Sequence, residues 1–138
     1  MFKQRQYAQA AEKYELAVKF DASIAWFYGN WAAALAKQGK YEAALKQYQI
    51  ADQLEHNLAW IYSAWGDTLS QLKGFEQAIV KYQQAIALAP TQANYYYQWG
   101  HALFDLTRYE EAMVQYQQAA TLTQKETITI GGVKLYQD

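Results

Sequence analysis

The sequence predicts an all-α fold in which antiparallel helix pairs stack into an α-solenoid. The chain of 138 residues superimposes on itself when it is shifted by 34 positions, and apolar residues within each repeat recur at helical spacing. Proline, which interrupts helices, occurs once. Apolar residues make up 52% of the chain and charged residues 18%, with a formal net charge of -1. This composition is that of a folded domain with a packed core.

The second helix of each repeat is predicted from five columns of residues that lie 34 positions apart. Within a repeat the columns step by three, four, three and three residues, which places them on one face of an α-helix. Aromatic rings alternate with alanines there, so a ring of one helix can pack over a small residue of the next. The columns are Tyr7, Tyr41, Phe75 and Tyr109; Ala10, Ala44, Ala78 and Ala112; Tyr14, Tyr48, Tyr82 and Tyr116; Ala17, Ala51, Ala85 and Ala119; and Phe20, Leu54, Leu88 and Leu122.

The first helix of each repeat is predicted from a second set of columns, about ten residues upstream. They are Tyr28, Tyr62 and Tyr96; Trp31, Trp65 and Trp99; Ala32, Gly66 and Gly100; and Leu35, Leu69 and Leu103. Short turns at Gly39-Lys40, Lys73-Gly74 and Thr107-Arg108 join the first helix to the second. Ser23, Asn57 and Thr91 precede the first helices and are predicted to be their N-cap residues, because their side chains accept backbone hydrogen bonds.

These motifs resemble the tetratricopeptide repeat family over residues 7–124. Trp65-Gly66 and Trp99-Gly100 stand where that family has Leu-Gly, and Ala78, Tyr82, Ala85 and Pro90 fit the second half of its repeat. Tyrosine replaces the usual tryptophan early in the first helix, and tryptophan replaces the usual leucine. The resemblance implies a right-handed superhelix whose first helices line a concave groove, and such grooves usually hold a peptide or partner segment.

The predicted repeat array spans residues 1–124, with full repeats at about 25–58, 59–92 and 93–124. The phase places Met1 near the end of a first helix, so the opening repeat has only its second helix, at 7–22. Residues 125–138 are predicted to form a C-terminal tail. Its alternating apolar residues, from Thr127 to Tyr136 around Gly131-Gly132, are typical of a short β-hairpin, and a disordered tail is the alternative.

The groove-facing stripe is predicted from helix periodicity and from the place that the family gives it. Small residues such as Gly29 leave room beside the aromatic rings of this stripe. Trp26 and Trp60 have an alternative role in packing against adjoining repeats, which the sequence leaves open. The predicted partner-binding residues are Trp26, Asn30, Lys37, Trp60, Ser63, Asp67, Asn94, Tyr97, Gln98, His101, Phe104 and Asp105.

Some members of the family hold a chaperone's acidic C-terminus in a clamp of lysine, arginine and asparagine. Asn30 matches one clamp position, but Trp60 and Ala64 occupy positions that would need basic residues. The sequence therefore argues against that role.

No motif for phosphate, dinucleotide, zinc or nucleophilic chemistry is present in the sequence. Asp67 and His101 hold the same place in adjacent repeats, and Asp105 follows His101 by four residues on the same predicted helix. A solvated ion pair is favoured for these residues over a metal or acid–base site. The sequence predicts no enzyme activity, no metal and no cofactor. Lysine and arginine are dispersed, so no nucleic-acid partner is expected. No signal peptide or membrane-spanning stretch is recognised, which makes a cytoplasmic location the default expectation.

The predicted function is that of a non-catalytic scaffold that binds a protein or peptide partner in its concave groove. A targeting segment of a larger enzyme is one alternative. An assembly element that forms a homo-oligomer through exposed solenoid ends is another, because the opening repeat lacks its first helix.

Overall fold

A computed structural model describes the backbone of residues 2–129 and the side chains of residues 2–125. This part of the chain is an α-solenoid of stacked helix pairs, and it contains no β-strand. Each helix packs chiefly against its neighbours in sequence. The helices are α1 (Phe2–Phe20), α2 (Ala25–Lys37), α3 (Tyr41–Leu54), α4 (Ala59–Gln71), α5 (Phe75–Leu88), α6 (Ala93–Asp105) and α7 (Tyr109–Thr129). The first helices of the repeats are α2, α4 and α6, and the second helices are α1, α3, α5 and α7.

The first helices all end in the same way, with one residue in the left-handed region of backbone conformation. Gly39 has φ 80°, Lys73 has φ 67° and Thr107 has φ 61°. The residue after each of them donates its N–H to a carbonyl five positions back, as from Lys40 to Leu35 at 2.9 Å. This is the Schellman motif, which satisfies the last carbonyls of a helix and reverses the chain direction. It fixes the turn into each second helix.

The predicted N-caps at Ser23, Asn57 and Thr91 are wrong by one residue. The caps are Ile24, Leu58 and Gln92, and none of them forms a side-chain capping bond. Leu58 packs against the hydrophobic core, so apolar packing rather than capping sets the start of α4. Backbone bonds close the first turn instead, such as Ile61 N–H to the Leu58 carbonyl at 3.1 Å. The Ser23 N–H and hydroxyl both donate to the Asp21 carboxylate.

The ends of the array differ from the simple 34-residue phase. Helix α1 begins at Phe2, earlier than the predicted start at Tyr7. Arg5 occupies the same place in the repeat as Gly39, yet it lies within α1 and is helical.

At the other end, α7 continues to Thr129, so the prediction of a hairpin strand at residues 127–129 is wrong. Between Tyr109 and Gly131 the sequence contains no glycine or proline that would end the helix sooner. The rest of the predicted hairpin, residues 130–138, lies outside the described residues.

The core follows the middle three of the five second-helix columns, since the first column is half-buried at Tyr7, Tyr41 and Phe75 and exposed at Tyr109. Ala44, Ala78 and Ala112 are at most 1% exposed, and Tyr48 and Tyr82 are 1% and 2% exposed. The fifth column is not core, since Phe20, Leu54 and Leu88 are all exposed. They are the last residues of α1, α3 and α5, where neighbouring helices no longer cover them. Among the tryptophans of the first helices, Trp65 is buried, and Trp31 and Trp99 are half-buried.

Candidate binding groove

A cavity of about 560 Å³ lies along the face where α2, α4 and α6 stand side by side. Tyrosines from the second helices, Tyr48 of α3 and Tyr82 of α5, form part of its lining. The remaining lining residues are Ala33, Ala36, Lys37, Tyr41, Ala64, Asp67, Thr68, Ser70, Gln71, Gln98, His101, Ala102 and Asp105. Residues at the same place in successive repeats therefore recur across the cavity, as Lys37, Gln71 and Asp105 do.

The structure brings together five of the twelve sequence-predicted groove residues in this cavity. They are Lys37, Asp67, Gln98, His101 and Asp105. The other seven, which do not line it, are Trp26, Asn30, Trp60, Ser63, Asn94, Tyr97 and Phe104. Sequence periodicity alone missed Tyr48 and Tyr82, because it cannot show how far a second helix reaches between two first helices. It also missed Thr68, which lies on the first helix α4.

Trp60 fills the space between two repeats. A Cβ added to Gly29 would lie 2.6 Å from the Trp60 ring, so the glycine allows the ring to approach α2. The packing role therefore describes Trp60. Trp26 is 50% exposed and meets Tyr14 of α1 edge-on, with ring centroids 6.2 Å apart. It lies outside the cavity and offers an accessible aromatic surface.

Asn30 is engaged within its own helix. Its side-chain amide donates to the backbone carbonyl of Trp26 at 2.9 Å. Asn30, the one residue that matched the family's clamp for an acidic C-terminus, thus donates its side-chain hydrogen bond to a backbone carbonyl.

A hydrogen-bond network joins α4, α5 and α6 at the cavity surface. The Tyr82 hydroxyl donates to Asp67 Oδ1 at 2.7 Å, and Gln98 Nε2 donates to Asp67 Oδ2 at 2.8 Å. The Ser63 hydroxyl donates to Gln98 Oε1 at 2.8 Å. Because a carboxylate only accepts, Asp67 fixes the orientation of the Gln98 amide, and both oxygens of Asp67 are used. Asp67 therefore stabilises the wall of the groove by joining α4 to α5 and α6.

A glycine immediately precedes both Asp67 and His101, which pair with the hydroxyls of Tyr82 and Tyr116. A Cβ on Gly66 would lie 2.5 Å from the Tyr82 ring, and one on Gly100 would lie 2.6 Å from the Tyr116 ring. The hydroxyl of Tyr116 pairs with His101 Nδ1 at 2.7 Å, as that of Tyr82 pairs with Asp67. The glycines allow these rings to approach the first helix closely enough to reach the polar residue.

The first full repeat lacks this arrangement. It has Ala32-Ala33 where the later repeats have Gly66-Asp67 and Gly100-His101. Alanine at position 33 offers no acceptor for a tyrosine hydroxyl. The change from Trp-Ala-Ala to Trp-Gly-Asp and Trp-Gly-His is the sequence signal for the network, and the periodicity of the core does not reveal it.

Tyr48 and Tyr82 of the cavity lining stay protonated at neutral pH. Burial is the main cause that raises the pKa of Tyr48, to about 12. Burial, followed by the Asp67 charge, raises the pKa of Tyr82 well above its usual value. The hydroxyl of Tyr82 therefore serves as a hydrogen-bond donor to the Asp67 carboxylate.

Lys37 and Asp105 present free charges at opposite sides of the cavity. Both side chains are exposed, and neither forms an ion pair or a side-chain hydrogen bond with the described residues 2–125. Gln71 stands between them at the equivalent place on α4.

Asp67, His101 and Asp105 do not assemble a metal site. Asp67 is held by Tyr82 and Gln98, and His101 Nδ1 is paired with Tyr116. Over the described residues, no group of three or more His, Cys, Asp or Glu side chains is placed to hold a metal ion.

The stacked helix pairs and their shared cavity define a helical repeat protein of the kind that binds other proteins. Residues 66–106 match the family model for a TPR repeat, and residues 93–126 match that for a tetratricopeptide repeat. Residues 66–126 therefore carry tetratricopeptide repeats, which confirms the resemblance seen in the sequence. No curated protein sequence matches it.

Solved structures with the same fold include two crystal structures of MamA. One has a TM-score of 0.83 and 22% identity, and the match covers 88% of this chain and 71% of that one. The other has a TM-score of 0.82 and 21% identity, covering 96% of this chain and 70% of that one. The first tetratricopeptide domain of Spaghetti (RPAP3), bound to the HSP90 peptide SRMEEVD, has a TM-score of 0.71 and 25% identity, covering 75% and 82%. Within the described part of the chain, no helix is both long and apolar enough to cross a bilayer.

Proposed function

We propose that this chain is a non-catalytic interaction scaffold that binds an extended peptide segment in the cavity along α2, α4 and α6. The observation that carries the proposal is the cavity itself, because it crosses three repeats and presents side chains with unused hydrogen-bonding groups. The tetratricopeptide family generally consists of interaction modules without catalytic activity, which supports a binding role.

Lys37, Gln71 and Asp105 are the proposed contact residues, with exposed Trp26 as an apolar contact beyond the cavity. Asp67, Gln98 and His101 line the cavity too, but their polar groups are partly used within the protein. Trp60 and Ser63 support the wall from behind, since Ser63 is 7% exposed and Trp60 packs over Gly29.

The peptide in the Spaghetti structure is acidic, and this chain is not suited to the same ligand. Its cavity has two carboxylates, Asp67 and Asp105, for one lysine. A ligand rich in acidic residues would meet like charges over α4 and α6. The partner of this chain is therefore proposed to be a different kind of segment.

The proposal is tested by closing the cavity with a single side chain. Ala33 lines the cavity, and the equivalent residues Asp67 and His101 are exposed, so the place tolerates a larger side chain. Peptides are selected from a phage-displayed library of random twelve-residue segments against the whole chain. Binding of the selected peptides is then measured by fluorescence anisotropy for wild type, Ala33→Phe and the control Ala87→Phe.

Ala87 is an exposed residue of α5 outside the cavity, so its substitution adds the same ring elsewhere. We expect Ala33→Phe to weaken binding at least tenfold and Ala87→Phe to leave it unchanged, with far-UV circular dichroism preserved in both. Peptides that bind all three proteins equally well would show that the cavity is not the site.

A second candidate function is end-to-end assembly, and the pattern of exposure along one column favours it. Ala11, Leu45 and Ile79 occupy the same place in successive second helices and are buried or half-buried beneath the next first helix. Met113 holds that place in α7 and is 58% exposed, because no described helix follows. A second copy of the chain could cover this surface.

Light scattering coupled to size-exclusion chromatography over a range of protein concentrations tests this candidate. We expect Met113→Glu to lower the average mass, while Val80→Glu, at a position 51% exposed on α5, does not. A concentration-independent monomer would rule the assembly out.

A further inference from the structure

The charges of the cavity follow the order of the repeats. Lys37 on α2, Gln71 on α4 and Asp105 on α6 hold the same place in three successive first helices, and all three line the cavity. The row therefore runs from a cation through a neutral amide to an anion. Both charged groups are exposed and unpaired within the described residues, so a ligand can reach them.

The other ionisable groups of the cavity reinforce this order. Asp67 adds negative charge on α4, although both its oxygens already accept hydrogen bonds. His101 on α6 is joined to Tyr116. On the α2 side, Ala33 and Ala36 leave Lys37 as the charged residue of the lining.

We propose that the cavity selects an extended peptide that carries one acidic and one basic side chain about five or six residues apart. The acidic side chain pairs with Lys37 and the basic one with Asp105, and Gln71 contacts the peptide between them. This inference rests on the proposed function, because it names the ligand of the same cavity. A uniformly acidic segment would meet Asp67 and Asp105, and a uniformly basic one would meet Lys37.

The spacing comes from the geometry of packed helices. Adjacent helix axes lie about 8–10 Å apart, so two steps from α2 to α6 span about 16–20 Å. An extended chain advances about 3.3 Å per residue, and about five or six residues cover that span. The distance between α2 and α6 thus sets the spacing of the two charged side chains in the ligand.

A charge swap tests the inference. The variant that combines Lys37→Asp with Asp105→Lys keeps the net charge and reverses the order of charges along the row. The same random twelve-residue phage library is selected against wild type and against this variant, and the enriched peptides are sequenced. We expect wild type to enrich acid–base pairs at the stated spacing in one chain order, and the variant to enrich the opposite order.

Single neutralisations give a second measurement with matched controls. For a peptide enriched by wild type, we expect Lys37→Gln and Asp105→Asn each to weaken binding about two- to fivefold, as exposed charge pairs do. Lys46→Gln and Glu12→Gln change exposed side chains of α3 and α1 outside the cavity, and should leave the affinity unchanged. Circular dichroism verifies that each variant is folded.

The outcomes separate this inference from the proposed function. Enriched peptides that lose binding in Ala33→Phe but lack an acid–base pair, or that keep the same charge order with the swapped variant, overturn the charge pattern alone. If no enriched peptide depends on Ala33, the proposed function fails and this inference fails with it.

Discussion

Gly66→Ala places two structural effects in direct opposition. Gly66 lies inside α4, where alanine has the better helix propensity by about 1 kcal/mol. Propensity alone therefore predicts a more stable protein. The tertiary structure predicts the reverse, since the new methyl group would lie 2.5 Å from the Tyr82 ring, far inside van der Waals contact.

The cost of that contact can be estimated from its surroundings. Tyr82 is 2% exposed and its hydroxyl is held by Asp67, so the ring cannot move away without breaking this bond. Overpacking of a core costs about 1–3 kcal/mol. Losing a hydrogen bond to a charged acceptor adds about 1.5 kcal/mol, the low end of the usual range because Asp67 is exposed. After the gain in helix propensity, we expect a net loss of about 1.5–3.5 kcal/mol.

Urea denaturation followed by circular dichroism measures the effect as a shift of the unfolding midpoint. Gly66→Ala combined with Asp67→Ala recreates the Ala32-Ala33 pair of the first full repeat. Because Gly66→Ala already breaks the bond between Tyr82 and Asp67, the double variant should lose about 1.5 kcal/mol less than the sum of the two single losses.

A neutral or stabilising Gly66→Ala would refute this reasoning. It would mean that helix propensity dominates and that the ring has room to shift. Strict additivity with Asp67→Ala would separately refute the link between the glycine and the tyrosine hydroxyl.

Three further predictions concern stability, measured in the same urea experiment. Gly39 has φ 80° and open space where a Cβ would lie, so Gly39→Ala should cost about 1 kcal/mol through backbone strain alone. Thr107→Gly, at φ 61°, should instead stabilise the protein by a similar amount. If both variants changed the stability in the same direction, the role of the left-handed turn would be contradicted. The pKa of Tyr48 is raised to about 12 from 10.0, so unfolded chains lose its proton first as pH rises. The contribution of Tyr48 to stability should be full below pH 10 and fall by about 1.4 kcal/mol per pH unit up to 12. Tyr48→Phe should remove that component, and an unchanged slope would count against it. Lys81 Nζ lies 3.7 Å from the Trp65 ring centroid, so Lys81→Met should destabilise by about 0.5–1 kcal/mol, and no loss would show that the cation–π contact contributes nothing.

The sequence alone established the repeat, the helix pairs and most of the core. The alanines at 44, 78 and 112 recur at one spacing, and helical periodicity places them on one face whatever the partner helix is. Periodicity is a local property of the chain, so it can be read without knowing which helices meet. The turns at Gly39, Lys73 and Thr107 were located for the same reason.

The tertiary structure decided which polar residues of the groove face are accessible. Asn30, Ser63 and Lys37 all lie on the stripe that periodicity assigned to the groove, yet Asn30 bonds its own backbone and Ser63 is buried against Gln98. Lys37 is exposed on the cavity and has no ion-pair partner among the described residues. The burial of Ser63 arises from packing against a residue 35 positions away on another helix, and no pattern within one helix contains that contact.

The same limit explains the helix boundaries that were missed. Candidate capping residues such as Ser23 are recognised by type, but the start of α2 falls one residue later, at a position without a capping side chain. Apolar packing and backbone bonding in the folded state set that boundary. Sequence thus determined the period and the faces of the helices, and the packing of one repeat on the next determined which groups remain available to a ligand.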